Sequence, residues 1–222
     1  MEASISGSSI TPNVLASLSG IGQIPQGPGT RAAQRRAMAK ERLENPLEGV
    51  AFTSRKVNLC ERDAGNILLN HLLPVQSALG LLAARGPKIN PGAFAAVMQQ
   101  VDTTMAELEL QIEEEALKVA ATVSQQNVTG TMRYVESVAQ PVNIYGRRDA
   151  KLIELLEKFD AVLVDYARLI FFELATEAEK VAFTDNVRDK LSVLVKLLAG
   201  AAARIRSGED DAPEPADNNG SL

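Results

Sequence analysis

Two short segments of the chain have the pattern of β-strands. In residues 50–59, Val57 and Leu59 fall on one face of an extended chain, which predicts a strand with one buried side. The other face of this strand is polar and carries Ser54, Lys56 and Asn58. Residues 132–145 form a second extended segment, with Pro141 in its second half. Each segment precedes a long stretch with helical periodicity.

Four helices are predicted, because apolar residues recur at every third or fourth position over long stretches. They cover about residues 61–84, 91–124, 148–175 and 177–206. Pro74 should kink the first helix or mark a break in it, and the Gly86-Pro87 pair should end it. Asn90 followed by Pro91 is typical of an N-cap and a first helical residue, so the second helix should begin there.

The second predicted helix has two distinct faces. One is a heptad-like apolar stripe from Phe94 to Val119, which can form a core or bind a partner helix. The opposite face is acidic and is expected to be solvated; it carries Glu107, Glu109, Glu113, Glu114 and Glu115. Carboxylates on solvated helix faces give no indication of a paired acid–base site.

The predicted strands and helices lie between two polar ends. Residues 1–30 are rich in Ser, Gly and Pro without a sustained period, so we expect a mostly disordered arm. Residues 31–45 are basic and helix-prone, and residues 46–206 hold the strands and helices. Residues 207–222 form an acidic tail that we also expect to be disordered.

A short echo links the two strand segments. Val57-Asn58-Leu59 is followed by Arg62-Asp63-Ala64, and Val142-Asn143-Ile144 is followed by Arg148-Asp149-Ala150. The echo is consistent with two strand–helix–helix units, at 50–125 and 135–206, but chance accounts for it equally well. Each unit would hold one strand, whose backbone N–H and C=O groups need a partner. The strands therefore pair either within one chain or each with its copy in a second chain.

The composition favours a helical, cytoplasmic protein. Of the 222 residues, 45% are hydrophobic but only 4% are aromatic, so the core must be mainly aliphatic. The single cysteine, Cys60, excludes an intrachain disulfide and fits a reducing compartment. We expect neither a signal peptide nor a membrane span. The net charge of −5 is owed to the tail, which holds five of the 28 acidic residues and so leaves 23 against 23 basic ones.

Patterns of catalytic and metal-binding residues are absent from the sequence. His71 is the only histidine and Cys60 the only cysteine, which is too few for a closed zinc site. There is no P-loop, and no glycine-rich dinucleotide motif follows a strand. We therefore expect no cofactor and no enzyme, but a protein that binds other macromolecules.

The polar strand face has the chemistry of a DNA-contacting surface. In ribbon–helix–helix proteins a two-stranded ribbon enters the major groove, and its polar residues contact base edges. Lys56 can donate to guanine and Asn58 can pair with adenine, beside Ser54. We expect Arg55 to reach a phosphate from the strand edge, and the N–H groups near Asn90 to bind another. The basic segment would add sequence-independent affinity through Arg31, Arg35, Arg36, Lys40 and Arg42.

The layout of the chain also resembles a known family over roughly residues 50–200. The resemblance rests on the strand before an amphipathic helix, on Gln111-Ile112-Glu113-Glu114-Glu115-Ala116-Leu117, and on Lys158-Phe159-Asp160-Ala161-Val162-Leu163. These features are similar to the AcaB-type proteins of conjugative plasmids and integrating conjugative elements. The resemblance implies a ribbon–helix–helix-like transcriptional regulator that activates conjugative transfer genes. Ser54, Lys56 and Asn58 are the matching strand positions.

The sequence thus predicts a mainly α protein with one or two short strands, as a ribbon–helix–helix-like strand plus long-helix bundle. The expected partner is double-stranded DNA, bound by a homodimer on a symmetric site, with no membrane contact. The helices would form the dimer core and a contact with RNA polymerase. The alternative is a helical scaffold whose Phe94–Val119 stripe binds a partner helix, without DNA.

Overall fold

The computed structural model of the protein describes residues 50–134 and 138–207, together with Ala37, which is helical. These residues form a mainly helical fold with one two-stranded antiparallel sheet, so the predicted fold class is confirmed. The elements in chain order are β1 (Thr53–Leu59), α1 (Arg62–Ile67), a π-helical stretch (Leu68–Leu72), α2 (Leu73–Ile89), α3 (Pro91–Gln125), β2 (Val138–Ile144), α4 (Arg147–Phe171) and α5 (Glu177–Ser207). The predicted arm (1–30), the basic segment (31–45) apart from Ala37, and the tail beyond residue 207 lie outside the described residues.

The two strands pair with each other within one chain. They are antiparallel, with Lys56 opposite Pro141 near the middle of the ribbon and Leu59 opposite Val138 at one end. A second chain is therefore not needed to complete the ribbon. Pro141 cannot donate a hydrogen bond, but both strands of a two-stranded sheet are edges, where proline is tolerated.

The helices of the two halves of the chain are interleaved. After β1, α1, the π-helical stretch and α2 are consecutive and form one helical segment, which α3 follows; β2 is followed by α4 and α5. The order strand–helix–helix therefore occurs twice. The principal partner of α2 is α5, and that of α3 is α4. Each half thus covers the apolar surface of the other. Whether the repeated order reflects duplication of the predicted units 50–125 and 135–206 stays a hypothesis.

The apolar stripe of α3 lies in the core. Leu108 and Ile112 surround a small gap together with Phe159 of α4 and Leu191 of α5. Five members of the stripe are at most 6% exposed, namely Val101, Met105, Leu108, Ile112 and Val119, and the other three, Phe94, Val97 and Ala116, are half-buried against the same core. The prediction that this stripe binds a separate partner helix is therefore wrong, because the chain's own helices already cover it.

The acidic face of α3 is exposed at Glu107, Glu113 and Glu114, as expected, but several of its carboxylates also pair with residues of the neighbouring helices. Glu107 accepts a hydrogen bond from Lys190 of α5 at 2.6 Å. Lys158 of α4 reaches Glu113 at 2.6 Å. Further contacts join Asp102 to Arg148, Glu109 to Lys151 and Lys158, and Glu115 to Tyr166. Each exposed pair contributes little stability. The partners follow one another in the same order along both helices, which shows that α3 and α4 are parallel.

The first predicted helix is interrupted near Pro74, which agrees with the predicted break. A π-helical stretch ends immediately before Leu73, and Pro74 lies in the first turn of α2. The predicted end at Gly86-Pro87 is wrong, since α2 continues to Ile89. A Cβ atom on Gly86 would lie 2.5 Å from the Phe94 ring, so the glycine allows α3 to pack closely here.

One helical stretch is long and apolar enough to resemble a membrane span. Arg62–Lys88 passes by length and composition alone, with a mean hydropathy of 1.5. Half of this apolar stretch is buried inside the fold, so the helix is weak evidence for a membrane span.

Truncation of the α3 stripe should destabilise the protein. Leu108→Ala removes a side chain that is 1% exposed, and it should lower the free energy of unfolding by ~2–5 kcal/mol. Leu110→Ala is the matched control on the same helix, because Leu110 is 59% exposed and its loss should change stability by less than ~0.5 kcal/mol. Urea unfolding followed by circular dichroism measures both. Equal effects of the two substitutions would contradict the burial of the stripe.

Candidate nucleic-acid interface

The outer face of the ribbon carries the polar residues predicted to contact bases. Ser54, Lys56 and Asn58 are exposed on β1. The inner face of the same strand holds Val57 and Leu59, both fully buried, so the predicted orientation of the strand is confirmed. Packing of this apolar face on the helices holds the polar face towards solvent.

The neighbouring strand contributes a different surface. Directly opposite Ser54, Lys56 and Asn58 on β1 are Asn143, Pro141 and Ala139 on β2. The Ser54 hydroxyl donates a hydrogen bond to Asn143 Oδ1 at 3.2 Å. Asn143 is only 8% exposed. The larger polar side chains exposed on this face are therefore those of Lys56 and Asn58.

Arg55 is held by the helix beneath the ribbon. Its Nη2 atom donates to both carboxylate oxygens of Glu157 on α4, at 2.9 and 2.7 Å. The guanidinium thus ties β1 to α4, where sequence reasoning expected a free phosphate contact. The side chain is still 44% exposed, so a phosphate would have to compete with Glu157 for it.

Asn90 is the N-cap of α3, as the sequence predicted. Its Oδ1 atom accepts a hydrogen bond from the Ala93 N–H at 3.0 Å, and Pro91 occupies the first helical position. The first turn of α3 carries no acidic residue. The positive end of the helix dipole is therefore not neutralised by a carboxylate of its own first turn.

The remaining predicted phosphate contacts cannot be placed. Arg31, Arg35, Arg36, Lys40 and Arg42 all lie outside the described residues.

The end of β1 is fixed to the helices by a buried polar cluster. The Asp160 carboxylate on α4 accepts hydrogen bonds from the backbone N–H groups of Cys60 at 2.9 Å and Glu61 at 2.8 Å. Glu61 in turn accepts from Tyr134 Oη at 2.5 Å and from Lys180 Nζ at 2.8 Å. Burial raises the pKa of Asp160, and it also raises the pKa of Tyr134. These contacts join β1, α4 and α5 at one end of the ribbon.

The end of β2 has a counterpart in Asp149 on the first turn of α4. One of its oxygens accepts a hydrogen bond from the Tyr145 N–H at 2.8 Å, while Oδ1 is buried without a partner. Burial raises the pKa of this carboxyl to about 7. Asp149 lines a mostly apolar cavity of about 90 Å³ together with Phe94 and Met98 of α3. The cavity shows that the beginnings of α3 and α4 lie side by side at this end.

Two exposed basic residues at this end were missed by sequence reasoning. Arg147 begins α4 directly after the second strand, and Lys88 lies in the last turn of α2, two residues before Asn90. The adjacent Arg148 is engaged with Asp102 at 2.6 Å. The pair Arg147-Arg148, shortly after the second strand, indicates a basic helix start, but the short echo of the first strand segment includes only Arg148-Asp149-Ala150.

The described part of the chain offers no cluster for a metal ion. Within residues 50–134 and 138–207, no three His, Cys, Asp or Glu side chains come together in a suitable arrangement. Cys60 is exposed, and burial of its surroundings together with the charges of Asp160 and Glu61 raises the pKa of its thiol. A thiol of this kind is a poor nucleophile at neutral pH.

Comparison with known proteins gives a match at the level of the fold. No family model matches the chain, and no curated protein matches it. Among solved structures, the chain is similar to the crystal structure of AcaB from uropathogenic E. coli, with a TM-score of 0.64 and 12% sequence identity. The alignment covers 77% of this chain and 94% of AcaB. The protein therefore has a fold similar to that of AcaB, as the sequence resemblance implied.

The buried carboxyl at the end of β2 should make stability depend on pH. Folding raises the pKa of Asp149 from 3.8 to about 7, so the folded state binds a proton more tightly than the unfolded state. Stability contributed by the protonated carboxyl is present below about pH 4 and is lost as the pH rises to about 7. Each pKa unit corresponds to about 1.4 kcal/mol, which makes the loss several kcal/mol.

Asp149→Asn keeps the shape of the side chain but cannot ionise. We expect the variant to match the wild type near pH 4 and to be more stable at pH 8, as measured by urea unfolding at both values. Asp189→Asn, on an exposed position of α5, is the matched control and should change stability at neither pH. A difference between Asp149→Asn and wild type that is the same at both pH values would refute the argument.

Proposed function

We propose that the protein is a DNA-binding transcription regulator that inserts the β1–β2 ribbon into the major groove of duplex DNA. The observation that carries this proposal is the two-sided ribbon, with Val57 and Leu59 fully buried beneath and Lys56 and Asn58 exposed above. The major groove is about 12 Å wide and admits a two-stranded ribbon. An exposed polar ribbon on a rigid helical base has the shape and chemistry that this binding mode requires.

Lys56 and Asn58 are the side chains proposed to discriminate between bases. The Lys56 ammonium group can donate to the acceptor atoms of guanine, and the Asn58 amide can form two hydrogen bonds with adenine. Both lie on the same face of β1, separated by one residue. Ser54, which is bound to Asn143, would contribute through its hydroxyl or through the local position of the strand.

Contacts with phosphate would supply the affinity and position the ribbon. The N-terminus of α3 at Asn90 and the exposed Arg147 lie at one end of the ribbon. Arg31, Arg35, Arg36, Lys40 and Arg42 would add sequence-independent attraction. Arg55 would contribute only if it were released from Glu157.

The regulatory part of the proposal is supported by the resemblance to AcaB-type proteins and by the fold shared with AcaB. On this basis the protein would act in the cytoplasm as an activator of conjugative transfer genes, with a contact to RNA polymerase and without enzymatic activity. The scaffold alternative has lost its binding surface, since the α3 stripe is buried.

A mobility-shift titration at two salt concentrations tests DNA binding. Purified protein would be titrated against random-sequence duplex and against promoter fragments from its own genetic neighbourhood. We expect tight binding to a subset of fragments, weakened by about 5- to 150-fold on the preferred fragment by Lys56→Ala or Asn58→Ala. Loss of one good base contact costs about 1–3 kcal/mol, which corresponds to an effect of this size.

Lys196→Ala is the matched control for Lys56→Ala, because it removes the same charge from an exposed position on α5. It should leave the affinity unchanged. Equal binding to all fragments that disappears with salt would assign the affinity to the basic segment alone. The absence of any retarded complex at low salt would reject the proposed function.

A further inference from the structure

The two faces and two ends of the ribbon allow a more specific statement about the DNA that would be bound. The ribbon is complete in a single chain, because β1 pairs with β2 over its whole length. The helices beneath it are interleaved between the two halves. One chain therefore presents the surface that two chains supply in a symmetric dimeric ribbon.

This surface has no twofold symmetry. The Lys56 ammonium group lies opposite Pro141, and the Asn58 amide lies opposite Ala139. Opposite Lys56 and Asn58, β2 thus presents apolar groups, and its one polar residue on this face, Asn143 opposite Ser54, is only 8% exposed. A palindromic site would offer equivalent bases to both strands, but only one strand can use them.

The two ends of the ribbon also differ in the helix start that lies beside them. Phe94 in the first turns of α3 lines a cavity with Tyr145 and Arg147, which places the start of α3 beside the end of β2. That start has Asn90 as its N-cap and no acidic residue in its first turn, and the exposed Lys88 precedes it by two residues. This end is suited to a phosphate group, since backbone donors, the helix dipole and two cationic side chains act together.

The other end carries charges of both signs. Exposed Arg62 and Arg133 lie there, and the Glu61 carboxylate is paired with Lys180 of α5, which places the first turns of α5 beside the end of β1. The first turn of α5 carries Glu177 and Glu179. Glu179 accepts hydrogen bonds from the Thr176 N–H at 2.8 Å and the Thr176 hydroxyl at 2.9 Å, so this helix start already holds an anion and is less suited to a DNA phosphate than the start of α3.

We propose that a single chain binds a non-palindromic DNA site in one fixed orientation. The end of the ribbon near Asn90 and Arg147 contacts the phosphate backbone, and the end near Cys60 and Thr176 does not. This inference rests on the proposed function, and it further requires one chain per binding site and one orientation of the chain on the DNA.

Cys60 allows the orientation to be measured directly, because it is exposed and is the only cysteine in the chain. An iron chelate that cleaves nearby DNA would be attached to Cys60 of the full-length protein. The labelled protein would be bound to the shortest duplex that the wild type retains in the mobility-shift titration. We expect cleavage on one flank of the binding site only. When the site is inverted within the duplex, the cleaved flank should move to the other side of the site.

A second probe serves as the matched control. In the double variant Cys60→Ser with Ala95→Cys, the chelate is attached to an exposed position on α3 near the other end of the ribbon. Its cleavage should fall on the opposite flank of the same site. Equal cleavage on both flanks by either probe would overturn the inference, since it would require two chains or two orientations.

Native mass spectrometry of the same complexes decides the stoichiometry without any probe. We expect one chain per duplex, and a complex with two chains on a single site would also overturn the inference. Arg147→Ala should lower the dependence of affinity on salt by about one phosphate contact, whereas Glu177→Gln should not lower it. Failure of the proposed function would be recognised earlier, because unlabelled wild-type protein would then bind no duplex at all.

Discussion

The pairing of two isolated strands is the constraint on which the rest of the structure depends. Each half of the chain supplies one strand, and a single strand leaves a row of backbone donors and acceptors without partners. β1 and β2 satisfy each other across a separation of 89 residues at Ser54 and Asn143. The helices that follow the strands must then lie on one side of the ribbon, because Val57, Leu59 and Val142 are fully buried there. Interleaving of the helices follows from covering this common apolar face.

Both ends of the ribbon are fixed by carboxylates whose burial is costly. Asp160 receives two backbone N–H groups where β1 turns into α1, and Asp149 receives one where β2 turns into α4. Burial raises the pKa of both carboxyls, so their charge is tolerated only because of these hydrogen bonds. Replacing them with apolar groups would leave buried backbone donors without partners. The hydrogen bonds to these buried carboxylates hold the ends of the two strands, where a two-stranded ribbon would otherwise fray.

Much of this fold could be predicted from sequence, because the signals were local. The period of apolar residues placed the helices, the alternation at Val57 and Leu59 oriented β1, and Asn90-Pro91 located the start of α3. What could not be predicted depends on contacts between distant residues. Nothing near Asp160 in the sequence indicates that it binds the backbone at Cys60, and nothing near Arg55 indicates Glu157. The close approach of Phe94 to Gly86, beside which α2 continues through Pro87, is likewise a contact that no local pattern announces.

The same distant contacts determine how much positive charge remains for DNA. Lys151, Lys158, Arg148 and Lys190 all bind carboxylates of α3, so the helices use a large share of the chain's basic residues internally. Near the ribbon, the exposed basic residues include Lys56, Arg62, Lys88 and Arg147. So few cations give few phosphate contacts, and phosphate contacts dominate the affinity of most DNA-binding proteins. In the proposed complex, therefore, the ribbon would determine which sequence is bound, and the basic residues between 31 and 45 would determine how tightly.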